Sequence, residues 1–115
     1  KKSNTWNNQF NFFEPIKGLD PSWFGFPLLI DEKLINKKEF FLQYLKRNKI
    51  ESRPIISGNF TKQECIKNHK FKTTNNFKEA DRIEKLGFFI GLPTKRLKQN
   101  TINELCRHLL NISNL

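Results

Sequence analysis

In the stretch SRPIISGNFTKQE, residues 52–64, an arginine, a proline and two isoleucines run into Gly58-Asn59 and then into a helix-start signature, Thr61-x-x-Glu64. Arg53 would bring a planar fork of donors to the end of an expected strand. Gly58 and Asn59 are turn-formers, and the first turn of a helix leaves backbone N–H groups without partners. A guanidinium and free amides in one neighbourhood suit an anionic or polyhydroxy ligand. The same residues also read as a surface ion pair followed by ordinary turn chemistry, and residue types alone lean slightly toward that second reading.

No other constellation competes with this one. His69 falls in a polar stretch and His108 on an expected helix, each without a companion at metal-ligand spacing, so structural or solvent-facing roles are expected of both. Asp31-Glu32 stand before a helix, where acids are ordinary. Cys65 and Cys106 make no CxxC pair and are expected as buried free thiols on helices. The sequence contains neither a glycine-rich phosphate fingerprint nor a nucleophile elbow. Chemistry by this segment alone is therefore not expected.

The elements that must position Arg53 can be read from periodicity. Residues 1–21 mix polar and aromatic types without a clean period, and Pro15, Gly18 and Pro21 break regular structure, so a loop-like lead-in or linker is expected there. WFGFPLLI (23–30) reads as a buried strand, with Gly25 marking a bulge or a close backbone approach. NKKEFFLQYLKRN (36–48) has the stripe of an amphipathic helix, with Asn36 as cap, Phe41, Tyr44 and Leu45 facing inward, and Phe40 flanking. IESRPII (50–56) reads as an edge strand because Pro54 cannot donate to a ladder. A short helix is expected from the Thr61 box to about Asn68, then a polar stretch over 69–76 and a helix over 76–87 capped by Asn76, with Ala80 and Ile83 inward and Gly87 as its stop. FFIGLP (88–93) reads as the third strand, and a second Thr-x-x-Glu box at Thr101 opens a last helix striped by Ile102, Leu105, Cys106 and Leu109. Three strands and several helices predict an α+β fold, a small three-stranded sheet covered by helices.

The chain has 115 residues, room for one core. It opens on Lys1-Lys2 and contains no methionine, which reads as an excised segment. Lys and Arg total 21 against 11 acidic residues, a net charge of +10 that invites nucleic acid. The positive charges are scattered singly and in pairs, and abundant Lys, Asn, Ile and Phe fit an A/T-rich coding bias better than a cationic face. A stand-alone basic nucleic-acid-binding module is thus the alternative of another class. No signal-peptide pattern or membrane-length apolar run appears, and a cytoplasmic setting is expected.

PSWFGFPLLI, RPIISGNFTKQ and EADRIEKLGFFIG, in this order, resemble the C-terminal part of the DegT/DnrJ/EryC1/StrS family of pyridoxal-phosphate sugar enzymes, nearest the nucleotide-4-keto-6-deoxysugar 3-dehydratases. The resemblance covers about residues 20–112 and implies the C-terminal small domain of a fold-type-I enzyme: 1–21 as lead-in from a large domain, 22–115 as the small domain. It implies 3-dehydration of a nucleotide-linked 4-keto-6-deoxy sugar in deoxysugar or lipopolysaccharide biosynthesis, with nucleotide-sugar transamination as the alternative. Pyridoxal 5'-phosphate or pyridoxamine 5'-phosphate would be held mainly by the large domain, which also carries the lysine or histidine at the cofactor. A homodimeric full-length enzyme and a reductase partner are implied as well, and neither a membrane nor nucleic acid is.

Carried over by position, Trp23, Phe24, Gly25 and Phe26 match the motif entering the small domain. Arg53, Gly58, Asn59 and Phe60 match the loop expected to face the substrate. Arg53 would donate to an anion or sugar oxygen, Asn59 would meet a hydroxyl or keto group, and Trp23 and Phe60 would be apolar walls. The chain departs from the family at Leu92-Pro93-Thr94, where many relatives carry a histidine, and at Glu64, where a proline is usual.

Overall fold

A computed structural model of the chain describes residues 5, 6, 8–72 and 76–115. The strands are β1 (Thr5–Trp6), β2 (Phe10–Phe12), β3 (Gly25–Ile30), β4 (Ser52–Arg53) and β5 (Gly87–Gly91). The helices are α1 (Lys38–Arg47), α2 (Glu64–Lys67), α3 (Lys78–Leu86) and α4 (Gln99–Leu110). Among the described residues the strands form one antiparallel sheet in the order β1-β2-β3-β5-β4. The α+β class stands as expected; the sheet has five strands rather than three.

The sheet face is set by alternation along each strand. Phe10 pairs with Ile30 and Leu28 with Phe88, so these side chains share a face with Ile90. Phe41 and Leu45 of α1, Leu109 of α4 and Ile112 close over them in one buried cluster. The rings of Phe10, Phe41 and Phe88 meet pairwise at centroid distances of 5.8–6.3 Å, two of the three contacts edge-on. Such tilted contacts suit the ring quadrupole and add about 0.5–1.5 kcal/mol to simple burial.

The loop-like reading of residues 1–21 is corrected at residues 5, 6 and 8–12, while 1–4 and 7 lie outside the described residues. Phe10 is fully buried and Gln9 nearly so, its carboxamide donating to Ser113 Oγ at 3.0 Å. Trp6, Phe10 and Phe12 give the alternation of a short hairpin, too short for a period to show. Residues 13–24 do run without regular structure, and Gly18 takes φ +91 in a turn closed by Leu19 N to Ile16 O.

Three helix starts differ from the sequence expectation, and a side-chain acceptor explains the first of them. Asp31, not Asn36, caps the entry to α1, accepting from Lys33 N at 3.0 Å and opening a 3-10 turn over Glu32–Lys37. Phe77 rather than Asn76 occupies the cap of α3, at φ 50. Helix α4 begins at Gln99, two residues before the Thr101 box, with no side-chain cap bond. Lys38 supplies a different kind of stop: its Nζ donates to the backbone oxygen of Lys85 at 2.6 Å, at the negative end of α3. Partial burial there holds its pKa below the ordinary lysine value. The polar stretch expected over 69–76 is described only at 69–72 and 76.

Candidate functional site

Of the residues singled out in the sequence, Trp23, Phe24, Gly25, Arg53 and Gly58 gather around the sheet face opposite α1 and α4. Gly25, Pro27 and Phe89 alternate with the core residues and so point that way. Gly25 is the close approach expected of it: a Cβ there would stand 2.5 Å from the Phe89 ring. That space lets Phe24 lie edge-on to Phe89 at 5.4 Å. Two adjoining hollows of about 240 and 550 Å³ share Phe24, Ile55, Ile56 and Phe89, and together form one groove. Trp23 stands at one end, and Arg53 and Gly58 at the other.

The edge strand β4 brings Arg53 to this rim, and Pro54 ends the strand as expected. Arg53 Nε donates to Glu51 Oε1 at 2.9 Å, both side chains being well exposed. An exposed pair of this kind contributes only ~0–1 kcal/mol, so the guanidinium can exchange Glu51 for an arriving anion at little cost. Arg53 also borders a hollow of about 570 Å³ between α1 and β4. That hollow mixes cations with Glu39 and Glu51, and its Lys38 is already committed to α3.

After Pro54 the chain turns, Gly58 N donating to Ile55 O at 3.1 Å, with Ser57 at φ 68 and Gly58 at φ 49. Gly58 fits because a Cβ would meet Glu84 Cγ at 2.8 Å in an already left-handed backbone. Asn59 is where structure and sequence reading part. It is 4% exposed, and its Oδ1 accepts from Thr61 N at 3.1 Å and Thr61 Oγ1 at 2.6 Å. Its Nδ2 donates to Asp81 Oδ1 at 2.8 Å and its backbone N–H to Glu84 Oε2 at 3.2 Å. Asn59 is thus the cap of the 3-10 turn Phe60–Lys62 and an anchor to α3, not a group turned toward a ligand. It also displaces the Thr61 capping box, since the Thr61 hydroxyl is spent on Asn59 and Glu64 pairs with Lys67 instead. Phe60 is exposed and lies outside the groove lining; Trp23 and Phe24 are exposed and within it.

Lys62 completes the anchor with an ion pair to Asp81, and Glu84 Oε2 lies 3.4 Å from its ammonium. The hydrogen bond from Lys62, then that from Asn59, holds the Asp81 carboxyl below its ordinary 3.8. The bond to Asp81 likewise raises Lys62 above 10.5. A depressed carboxyl contributes stability that is complete above 3.8 and is lost as pH falls through the folded value. A raised lysine contributes stability that is complete below 10.5 and is lost as pH climbs through its folded value. Amide exchange across residues 57–63 is therefore expected to be flat from about pH 5 to 9, once corrected for intrinsic rates, and to quicken beyond either end. Asp81→Asn should remove the acid limb of that profile.

The remaining candidates fall where packing places them. His69 is exposed, and half-buried His108 shares a 2.8 Å hydrogen bond with Tyr44 Oη between α4 and α1. Both cysteines are free and neither is fully buried as expected: Cys65 is exposed, because the single turn of α2 buries no residue, and Cys106 is half-buried. Among the described residues no group of three or more His, Cys, Asp and Glu side chains could hold a metal ion. No helix among them is long and apolar enough to cross a membrane.

No family model matches the chain. Curated relatives do. The chain is 35% identical over 80 residues to the lipopolysaccharide biosynthesis protein RfbH of Salmonella typhimurium, covering 69% of this chain and 18% of that protein. It is 32% identical over 94 residues to the GDP-4-keto-6-deoxy-D-mannose 3-dehydratase of Yersinia pseudotuberculosis, covering 81% of this chain and 23% of that one. The chain thus spans about a fifth of the length of these relatives. Among solved structures, E. coli GDP-4-keto-6-deoxy-D-mannose-3-dehydratase with bound hydrated PLP superposes with a TM-score of 0.78 at 27% identity, over 90% of this chain and 26% of that one. A GDP-4-keto-6-deoxymannose-3-dehydratase (ColD) mutant with bound GDP-perosamine gives a TM-score of 0.77, also at 27% identity, over 89% of this chain and 26% of that one. The chain thus matches members of the DegT/DnrJ/EryC1/StrS family, as a partial, C-terminal-like segment of a larger pyridoxal-phosphate enzyme.

Proposed function

We propose that the chain is the small C-terminal domain of an enzyme that removes the 3-hydroxyl of a nucleotide-linked 4-keto-6-deoxy sugar during deoxysugar and lipopolysaccharide synthesis. The observation that carries this reading is the superposition of nine-tenths of the chain on a dehydratase that holds PLP. In this reading the groove closes one side of the substrate cleft and positions the sugar nucleotide. Arg53 donates to a phosphate or sugar oxygen, Trp23 and Phe24 form the apolar wall, and Gly58 lets the turn lie close to α3. Phe60, exposed beside the groove, is open to a partner surface.

The groove lining does not by itself fit pyridoxal or pyridoxamine phosphate: it offers one guanidinium and has no lysine or histidine among its residues. The cofactor is assigned to the remainder of the enzyme, where it would supply electron storage for the elimination. Asn59 supports this loop from beneath rather than touching the sugar. A cytoplasmic homodimer working with a reductase partner completes the proposal, as the family resemblance implies.

The test is Arg53→Ala in the enzyme that carries this chain. Loss of a charge-assisted hydrogen bond, about 1.5–3 kcal/mol, should raise the sugar-nucleotide KM tenfold or more. Arg53→Lys should recover part of the loss, since the charge returns without the planar fork. Unchanged KM and kcat in Arg53→Ala would remove Arg53 from the site.

A further inference from the structure

We infer that Asp81 is a positioning residue for the groove: acting through Asn59, it holds the 54–63 loop so that Arg53, Ile55 and Ile56 keep their places along the rim. The inference rests on the substrate reading above and adds to it a residue on α3 that does not line the groove itself.

The loop has little else to hold it. Strand β4 pairs through two residues only, Pro54 ends the ladder, and neither the Phe60–Lys62 turn nor α2 has a buried residue. Ile56 and Phe60 are mostly exposed, so apolar packing holds the segment only near its start, at half-buried Ile55 beside Gly87. Two consecutive residues with positive φ, one of them a serine, add local strain that the surroundings must offset. What does fix it converges on Asn59, the buried polar residue of the loop. Its amide binds Asp81, its backbone N–H binds Glu84, and Lys62 returns from the far side of the turn to Asp81. Gln63 Nε2 donates to Ser57 O at 3.2 Å and closes the loop on itself without reaching α3.

Glu84 alone cannot replace Asp81. It lies beneath Gly58 and binds a backbone N–H, whereas Asp81 is the partner that orients the Asn59 side chain. With that partner gone, the Asn59 carboxamide can rotate and release Thr61, and the cap of the 3-10 turn goes with it. The turn at 55–58 lies between this anchor and Arg53, so its freedom passes directly to the groove wall.

Two readouts decide it. In amide exchange of the chain, Asp81→Ala should speed exchange across residues 57–63 by about tenfold while β3, β5 and α1 keep their protection. In the enzyme, the same variant should raise the sugar-nucleotide KM by about fivefold or more with kcat within about twofold, a split that general destabilisation does not produce. Asp81→Asn keeps an oxygen acceptor for the Asn59 amide, so it should restore most of the KM and most of the protection at neutral pH. Unchanged exchange in Asp81→Ala overturns the anchoring. Faster exchange with an unchanged KM overturns the positioning role. An unmodified enzyme without activity on the sugar nucleotide would sink the substrate reading instead, and the exchange result would still judge the anchor.

Discussion

Phe10→Ala is expected to destabilise the chain by about 3–5 kcal/mol, as for other fully buried aromatic residues cut to alanine. Phe10 has no exposed surface and lies 5.8 Å from Phe41 and 6.3 Å from Phe88, so the cavity would open between the sheet and α1. Those neighbours are locked by β3 and by Leu45 and Ile112, which leaves little room for collapse. Against a total stability of ~5–15 kcal/mol for a domain, a loss of that size leaves a marginal fold. Urea denaturation of the two proteins measures it as a lowered midpoint at unchanged slope. A passive lead-in would give a change within about 0.5 kcal/mol, so the measurement separates a strand of the core sheet from a connector.

The second large effect belongs to a glycine. Gly87 has φ −79 and ψ 145, a conformation open to any residue, so its identity is not a matter of backbone freedom. Space decides it: a Cβ there would lie 2.4 Å from Ile83 O and 2.7 Å from Ile55 Cδ1. The oxygen belongs to α3 and cannot rotate away, so helix and strand must separate. Gly87→Ala should cost about 1–3 kcal/mol, and Gly87→Val more. Gly91 in the same strand has nothing within 4 Å of a Cβ, and Gly91→Ala should be neutral or stabilise by up to about 1 kcal/mol. Thermal unfolding of the pair checks both signs. Equal effects at the two positions would remove the steric account of the α3–β5 junction.

How much of this was legible depended on how far each signal reached. The stripe of Phe41 and Leu45, the apolar runs at 23–30 and 88–93 and the edge character of β4 are local, and they appear in the structure within two or three residues of the expected bounds. Gly25 between two phenylalanines announced a close approach, and Phe89 is the ring that makes it. Strands β1 and β2 were not legible, because two- and three-residue strands have no period to detect. Their trace was the alternation Trp6, Phe10, Phe12 around an Asn-Asn pair, a hairpin pattern masked by the prolines that follow.

The grouping of the candidate residues was legible in part for the same reason. Arg53, Gly58, Trp23 and Phe24 meet at one groove because strand order puts β4 beside β5 and β5 beside β3. Asn59 was placed in the right loop and given the wrong direction. Its partners Asp81 and Glu84 stand 22 and 25 residues away, and no local pattern links them. A side chain with one acceptor and one donor used inside the fold reads, in sequence, like one waiting for a ligand.

The central claim is that these residues form the small domain of a larger pyridoxal-phosphate enzyme, and the most direct measurement is the reading frame upstream of Lys1. The account predicts that it continues in frame through a large domain bearing a cofactor pocket, with a histidine at the position where an aminotransferase would carry a lysine. A start codon immediately before Lys1, with no such domain encoded, would contradict it.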